Sequence, residues 1–331
     1  MTNNNMISAR KKQYDEYFTL LDDVERIVEQ NRSVMLGKTI ICNCNDGENS
    51  AFWLYLSANF TALGLKRLIA VSYGDNAHVL EMSRVNGTPA VQKTLLSGDG
   101  DFRSIECLNY LQQADIVVTN PPFSLFREYI LLMMKMKKQM LVLGNLNAVN
   151  TIGIFPFIYE NKLRLTGSFV RNFLTADAKK ISISCGTWFT NLPEENYQGS
   201  LLLKESYCAE KYPCFDNYDA INVDRTVEIP FDYYGIMGVP ISYLLHHDSE
   251  HFKIMGITGT QNRVSPIKPC KTYIGTLEHS PDGTVKNSKG LNNLTVIALQ
   301  DKPEGLYFTA ENANGYLIRK YARLLIKRVT A

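Results

Sequence analysis

The first half of the chain alternates short apolar runs with segments whose apolar residues recur every three or four positions. The short runs predict β-strands at residues 39–42, 68–72, 94–96, 115–119 and 140–143. Helical patterns lie between them, at residues 48–63 and 125–138. Since strands that alternate with helices favour a parallel sheet covered by helices, this half predicts an α/β domain.

An amphipathic helix is predicted near the start of the chain, over residues 14–31. Its apolar face is formed by Leu20, Leu21, Val24, Ile27 and Val28. Tyr17 and Phe18 also lie within this predicted helix, where packing in the core is the alternative to a role in a site.

The second half contains fewer helical patterns and more turn signals. Strand-like runs at residues 163–170 and 181–190 are expected to complete the sheet of the first half. Beyond Pro193, turns rich in Gly, Pro, Asp and Asn are frequent, and a helical pattern returns only at residues 315–323. We therefore predict a larger α/β domain over residues 1–195 and a smaller α+β region over residues 196–331.

The composition is that of a soluble globular protein. Hydrophobic residues make up 45% of the 331 positions and charged residues 21%. We find no apolar run of the roughly 18 residues that a membrane helix needs, and the polar start of the chain does not resemble a secretory signal. The seven cysteines have no regular spacing, which indicates a reducing compartment. We therefore expect a cytoplasmic protein without a membrane partner.

The net charge is only +2, so the total charge does not indicate a nucleic-acid partner. Basic residues are nevertheless concentrated near the end of the chain, at Arg319, Lys320, Arg323, Lys327 and Arg328. A smaller basic cluster contains Lys135, Lys137 and Lys138. Such clusters can contact phosphates, although each one alone is more often a solvated face.

Cysteines and histidines do not form a metal-binding pattern. Cys42 and Cys44 have no second cysteine pair at the spacing of zinc sites. His246, His247 and His251 lack the His-Glu-x-x-His spacing of helical zinc sites. The sequence therefore predicts no metal.

The strongest chemical signal is Asn120-Pro121-Pro122-Phe123, which directly follows the predicted strand 115–119. In open parallel sheets, ligands bind beyond the carboxyl ends of the strands, so this motif is expected to face a site. The two prolines fix the backbone and remove two N–H donors, which leaves carbonyl groups free to accept. The alternative is a polar-Pro-Pro turn closed by a buried Phe.

This residue set suits an exocyclic aromatic amine, a poor nucleophile whose lone pair is delocalised into the ring. The side-chain oxygen of Asn120 and the carbonyl of Pro121 can each accept one N–H of the amine. These bonds favour a more tetrahedral nitrogen that can attack a methyl group without a charged base. Phe123 offers a flat face for a base flipped out of a duplex.

Further segments occur in a characteristic order around this motif. They are residues 15–19 (DEYFT), 42–46 (CNCND), 98–104 (GDGDFRS), 114–126 (ADIVVTNPPFSLF), 144–145 (GN), 188–192 (WFTNL), 216–220 (DNYDA) and 238–240 (GVP). With these segments the chain resembles the EcoRI-type family of adenine-specific DNA methyltransferases over most of its length.

The resemblance implies a Rossmann-like methyltransferase fold with a seven-stranded, mostly parallel sheet. It also implies that residues 1–195 bind S-adenosylmethionine and carry out catalysis, whereas residues 196–331 recognise the target in double-stranded DNA. The expected product is N6-methyladenine. A cognate restriction enzyme that acts on the same DNA site is a further candidate partner.

The resemblance also implies which residues surround the cofactor. Those near its methionine end are Tyr17, Phe18 and Thr19. Those at the end of the first predicted strand are Asn43, Asn45 and Asp46. Asp101 is expected to hydrogen-bond the cofactor's adenine, and Phe102 and Phe126 to pack beside it.

One segment departs from the wider class of methyltransferases. A glycine-rich turn usually follows the first strand, whereas the only glycine here is Gly47, as in the EcoRI-type variant. At the end of the second predicted strand, Asp75 is the candidate for the acid that binds the cofactor ribose.

Three other functions are compatible with parts of the sequence. A methyltransferase of the same fold can act on RNA or on a protein glutamine amide, since both offer a planar amino group. A non-enzymatic DNA-binding protein is disfavoured by the intact motif from Asn120 to Phe123. A nucleotide-dependent oxidoreductase is disfavoured because no Gly-x-Gly-x-x-Gly turn follows an early strand.

Overall fold

A nine-stranded sheet forms the centre of the first of two units in the chain. The computed structural model describes residues 17–45, 47–175, 177–193, 201–259 and 262–329. Of these, the first unit contains the residues up to 148 and those from 163 to 193, and the second contains 149–162 and all those beyond 200. The predicted boundary at residue 195 lies outside the described residues.

The strands of the first unit are, in chain order, β1 (Phe18–Thr19), β2 (Thr39–Asn45), β3 (Arg67–Ser72), β4 (His78–Val85), β5 (Thr88–Leu95), β6 (Ile116–Thr119), β7 (Gln139–Asn145), β8 (Arg164–Leu174) and β9 (Lys180–Thr190). Their order in the sheet is β1-β8-β9-β7-β6-β2-β3-β4-β5. Only the four central strands, β7-β6-β2-β3, run parallel, and the other neighbours are antiparallel.

This sheet differs from the predicted seven-stranded, mostly parallel one. On one side, β4 and β5 form an antiparallel hairpin of which only residues 94–96 were predicted as strand. Its two-residue turn has positive φ at both Asn86 (51°) and Gly87 (84°), the conformation that Asn-Gly favours in tight hairpins. On the other side, β1 and β8 extend the sheet beyond β9 by antiparallel pairing.

The helices of the first unit are α1 (Leu21–Gln30), α2 (Arg32–Met35), α3 (Ala51–Ala58), α4 (Ile105–Gln113) and α5 (Phe126–Lys135). The second unit adds α6 (Phe155–Tyr159). Short 3₁₀ turns occur at Gly47–Asn49, Leu146–Asn150, Thr226–Glu228, Ile241–His246, Asn262–Val264 and Leu291–Asn293. Within the described residues, no helix has both the length and the apolar character needed to cross a membrane.

The first helix is shorter than predicted. Val24, Ile27 and Val28 are buried on α1 as expected, whereas Leu21 is exposed. Phe18 and Thr19 belong to β1 instead of the helix, because they pair with Leu174 and Phe173 of β8. Part of the predicted helix, at residues 14–16, lies outside the described residues.

Both faces of the first unit's sheet are covered by helices. Successive side chains of a strand point to opposite faces of the sheet. Two neighbouring residues of β9 therefore contact helices on opposite faces. The ring of Trp188 packs on Phe52 of α3, with their centroids 6.1 Å apart. The next residue, Phe189, packs on Phe126 of α5, with centroids 4.8 Å apart. The central strands are therefore buried on both sides, as their continuous apolar runs predict.

The second unit is mostly β. Its strands are β10 (Ile221–Asn222), β11 (Ile236–Pro240), β12 (Phe252–Ile257), β13 (Leu277–His279), β14 (Val285–Asn287), β15 (Val296–Leu299), β16 (Tyr307–Thr309), β17 (Tyr316–Arg319) and β18 (Arg323–Arg328). They form a four-stranded sheet, β10-β11-β18-β12, and a five-stranded sheet, β14-β13-β16-β17-β15.

The helix predicted over residues 315–323 is wrong, because this stretch contains β17 and the start of β18. The basic residues near the chain end therefore lie on two strands and in their connection. Lys320 and Arg323 both bind the carboxylate of Asp224, each at 3.0 Å, and Arg323 is buried. Arg319 and Lys327 are exposed.

A polar clamp joins the two sheets of the second unit. Asn217, which is fully buried, donates to the Leu294 carbonyl (2.8 Å) and accepts from the Val296 amide (2.9 Å). The preceding Asp216 accepts from Lys271 and from the Tyr273 hydroxyl, each at 2.7 Å. Part of the segment 216–220 thus stabilises the fold.

We expect Asn217→Ala to lower the free energy of unfolding by about 2–4 kcal/mol, because it leaves a buried N–H and a buried carbonyl without partners. The matched control is Asp219→Ala in the same segment, where the side chain is exposed and the change should stay within about 0.5 kcal/mol. Urea unfolding of the full chain measures both. Equal stability of the two variants would contradict the clamp.

Candidate active site

The ends of the central strands bring the Asn-Pro-Pro-Phe motif beside β2. β2 and β6 are parallel neighbours, with Ile41 paired to Val117, so both strands end at the same edge of the sheet. The hydroxyl of Thr119, the last residue of β6, donates to the carbonyl of Asn43. Asn120 follows at once, which places its side chain at the edge where ligands bind in such sheets.

The side chain of Asn120 is held by the segment that contains β1. Its Nδ2 donates to the Tyr17 carbonyl (2.5 Å) and to the Thr19 hydroxyl (3.2 Å). Its Oδ1 is buried and accepts no hydrogen bond from any described residue. Buried polar atoms normally have partners, so an acceptor left open at this strand end is unusual.

β1 reaches Asn120 although three strands separate it from β6 in the sheet. β9 pairs with β7 only through residues 186–190, and its first part, from Lys180, pairs with the last residues of β8. Register shifts interrupt the β8–β9 ladder, and such bulges bend a strand. The end of the β8–β9 hairpin that extends past β7 is called the projecting hairpin here. It pairs with β1 through Phe173 and Leu174 and so brings β1 to Asn120.

The backbone after Asn120 turns directly into α5. The Pro122 carbonyl accepts from Leu125 N (2.9 Å), and the Phe123 carbonyl accepts from Phe126 N (3.4 Å). No backbone amide of the described residues donates to the Pro121 carbonyl. Asn120 and Pro121 therefore present two successive carbonyl oxygens.

The Phe123 ring is half-buried, so it does not simply close a turn from inside the core. It contacts Tyr17 edge-on, with centroids 5.5 Å apart, and Phe173 edge-on at 5.9 Å. Tyr17 also contacts Phe173, at 6.1 Å. Phe123 is thus fixed by two other rings at the projecting hairpin.

The candidate residues on β2 differ in what they contact. Asn43 is buried, and its Oδ1 accepts from the hydroxyl of Tyr129. Asn45 is the last residue of β2, and only its backbone is described, whereas Asp46 lies outside the described residues. Sequence reasoning missed Tyr129, although its position three residues after Phe126 places it on the same face of α5.

Asp101 and Phe102 lie in the turn before α4. Asp101 binds Arg103 with both carboxylate oxygens, at 2.9 Å from Nε and 2.5 Å from Nη2. Hydrogen bonding to Arg103 holds the pKa of Asp101 below its usual value, although partial burial opposes this shift. Phe102 is buried against the Tyr129 ring, 5.0 Å away. Arg103, which the sequence analysis did not single out, therefore fixes the candidate acid.

The turn that contains Asp101 packs closely against the end of β3. Gly100 has φ +80°, and a Cβ at this position would collide with the Ser72 carbonyl. The amide of Gly74 donates to the Asp99 carbonyl at 2.9 Å. These contacts bring the turn to the same edge of the sheet as Asn120.

The fully buried Phe126 ring lies against the backbone of Gly144 on β7. A Cβ at Gly144 would overlap three atoms of this ring. The ring also contacts Phe189 of β9. The glycine is therefore required by the close approach of α5 to β7.

The histidine-rich segment of the second unit forms a local turn. His251 Nδ1 lies 2.6 Å from the Asp248 carboxylate, and Glu250 is close to both. Asp248 also accepts the backbone amides of Glu250 and His251, at 3.0 and 3.2 Å. These bonds of the turn account for the grouping of the three side chains.

Comparison with known proteins gives one consistent result. A profile of the family described as adenine-specific methyltransferase EcoRI matches residues 5–329. The type II methyltransferase M.MgeORF184P of Mycoplasma genitalium is 40% identical over 268 residues, which cover 75% of this chain and 84% of the relative. For the type II methyltransferase M.EcoRI of Escherichia coli the identity is 36% over 290 residues, with coverages of 77% and 89%. For the type II methyltransferase M.MpnI of Mycoplasma pneumoniae it is 33% over 315 residues, with coverages of 89% and 97%.

We expect Gly144→Ala to lower the free energy of unfolding by about 1–3 kcal/mol, because the added methyl group forces the buried Phe126 ring to move. Gly305→Ala is the matched control, since a Cβ there meets no atom within 4 Å. Thermal unfolding of the two variants checks the expectation. Wild-type stability of Gly144→Ala would mean that the ring moves at no cost.

Proposed function

Because the chain belongs to the EcoRI family of adenine-specific methyltransferases, we propose that it methylates N6 of adenine at a specific site in double-stranded DNA. The methyl donor in this proposal is S-adenosylmethionine. The observation that carries it is the buried Oδ1 of Asn120, which has no partner among the described residues and lies at the end of a central parallel strand.

The residues at this edge of the sheet fit a polar ligand such as the cofactor. The Nε2 of His78 is buried without a partner among the described residues. His78 begins β4, next to the end of β3. Asp101 adds a carboxylate, and a carboxylate near the cofactor's adenine can accept its amino group.

We assign to cofactor binding the residues that the resemblance implies: Tyr17, Phe18, Thr19, Asn43, Asn45, Asp46, Asp101, Phe102 and Phe126. When bound, S-adenosylmethionine supplies an electrophilic methyl group on its sulfonium sulfur. In this proposal the parallel strands β7-β6-β2-β3 are the Rossmann-like core of a methyltransferase fold. The antiparallel strands on both sides are additions to it.

The residues of the motif act on the target amine. Asn120 Oδ1 accepts one N–H of the amine, and the Pro121 carbonyl accepts the other. Both acceptors are in place before the base arrives, so little reorganisation is needed at the moment of reaction. Phe123 stacks on the adenine after it has left the duplex, since base chemistry inside a stacked helix is inaccessible.

The second unit contains all described residues beyond 200. We assign recognition of the DNA sequence to this unit and to the region 196–331 as a whole. Among the basic residues near the chain end, the exposed Arg319 and Lys327 are available for phosphate contacts, because Lys320 and Arg323 already bind Asp224. A restriction enzyme acting on the same site remains the proposed partner.

The substrate class is tested by supplying duplex DNA, RNA and a glutamine-containing protein in parallel with labelled S-adenosylmethionine. Label in DNA, recovered as N6-methyladenine after digestion to nucleosides, supports the proposal. Label only in RNA or protein would overturn it. Single-molecule sequencing of DNA from cells that express the chain then reports the recognised site.

We expect Asn120→Ala to lower the methylation rate by about 10²–10³-fold, because one preorganised acceptor is lost. Cofactor affinity should stay close to wild type, since Asn120 is proposed to contact the amine. Asn109→Ala, an exposed position on α4, is the control for an asparagine lost elsewhere. Wild-type turnover of Asn120→Ala contradicts the mechanism.

For Phe123, stacking requires a flat ring and no particular polar atom, so Phe123→Trp should retain much of the activity. Phe123→Ala should lose about 1–3 kcal/mol of base-holding energy. A 2-aminopurine at the target position reports the flipped base, which an aromatic neighbour partly quenches. Unchanged fluorescence and rate in Phe123→Ala would identify Phe123 as a packing residue only.

For DNA affinity, we expect the double variant Arg319→Gln, Lys327→Gln to reduce the slope of log K against log[salt] by about 1–2. Lys320→Gln is the control, because Lys320 is engaged with Asp224 and should change the slope less. Titration of a labelled duplex at several salt concentrations measures the slopes. Equal slopes for all three proteins would mean that these side chains do not meet phosphates.

A further inference from the structure

An asparagine amide presents different chemistry at its two ends. The oxygen accepts hydrogen bonds, and the nitrogen only donates them. A half-turn about the last side-chain bond exchanges the two ends at almost no change in shape. A target amine that must donate its N–H can use only one of these two orientations. Some contact must therefore select the orientation of Asn120.

The contacts of Asn120 make this selection. The Tyr17 carbonyl can only accept, so the atom 2.5 Å away must be the amide nitrogen. The second hydrogen of this nitrogen points to the Thr19 hydroxyl, at 3.2 Å. In the turned orientation, Oδ1 would face the Tyr17 carbonyl, with two acceptors opposed and no proton between them.

The segment that contacts the Asn120 amide is itself fixed. Thr19 is buried, and its backbone pairs with Phe173 in the projecting hairpin. Phe173 contacts both Tyr17 and Phe123 through its ring. The same segment therefore determines the orientation of the Asn120 amide and the position of the Phe123 ring.

We propose that Thr19 is a positioning residue for methyl transfer, whose hydroxyl accepts the second hydrogen of the Asn120 amide nitrogen and so holds in place the orientation that the Tyr17 carbonyl selects. The inference rests on the proposed function. It takes the hydroxyl of Thr19, though not its backbone, out of the cofactor-binding role given to this residue. Because a hydroxyl can accept from Nδ2 or donate to Oδ1, the selection itself comes from the Tyr17 carbonyl and survives loss of the hydroxyl.

The test uses the full chain and a duplex that contains the recognised site. Thr19→Val removes the hydroxyl at nearly constant shape, and Thr19→Ser retains it. Thr190→Val is the matched control: the buried Thr190 hydroxyl bonds the Met140 carbonyl at 2.8 Å, at the opposite end of the parallel strands. For each protein we measure the single-turnover rate at saturating cofactor and DNA, the cofactor Kd by calorimetry, and thermal stability.

We expect Thr19→Val to lower the saturated rate by roughly 3- to 10-fold, the effect of one net hydrogen bond. Its cofactor Kd should stay within about 2-fold of wild type, well below the effect of a lost direct hydrogen bond. Thr19→Ser should restore the rate. Thr190→Val should lose stability but not rate. If Thr19→Val does not fold, Thr19→Ala takes its place under the same criteria.

Two results would overturn the inference. An unchanged saturated rate in Thr19→Val means that the hydroxyl does not position Asn120 for the reaction. A weaker cofactor Kd with an unchanged saturated rate means that Thr19 contacts the cofactor instead. Either result leaves the proposed function intact if wild type methylates DNA and Asn120→Ala does not. Failure of the proposed function is recognised separately, by the absence of methyladenine with wild type or by full activity of Asn120→Ala.

Discussion

The hydrogen bond from the Asn120 amide to the Tyr17 carbonyl connects the centre of the sheet to its outermost strand. It depends on three features: a parallel strand that ends at Asn120, a β8–β9 hairpin that extends past its neighbour, and a short strand paired to that hairpin. None of these features alone forms the site. A polar side chain at the strand end becomes a directed acceptor only when the far edge of the sheet reaches it.

The sequence predicts the local parts of this arrangement well. The strand at residues 115–119 and the Pro-Pro turn after it can be predicted, because burial, strand length and turn chemistry all act within ten positions. The extended conformation of Phe18 and Thr19 cannot be predicted from the sequence, since their partners in β8 are distant in the chain. The helical pattern downstream of them continues through both positions, and only pairing with β8 decides between helix and strand. For the site residues, the motif locates Asn120, whereas the partner of Asn43 is 86 residues away in the chain and follows from tertiary packing.

The second unit shows that a family segment need not be a functional segment. The stretch 216–220 contributes to the resemblance, yet its polar side chains bond within the fold. Asp216 accepts from Lys271 and Tyr273. Asn217 bonds the backbone around β15. The apolar and polar pattern near the chain end misleads for a related reason. Basic residues three or four positions apart are typical of one helix face. In the structure, Lys320 and Arg323 instead lie next to or within strands, and both bind the carboxylate of Asp224.

The contact of Phe126 with the backbone of Gly144 also constrains how the family can diverge. A change at either position alone lowers stability, because a larger residue on β7 occupies the volume of the ring, and a smaller residue on α5 leaves a void against Phe189. Only paired substitutions keep the helix after the motif at its distance from the sheet. Among homologous sequences these two columns should therefore vary together or not at all.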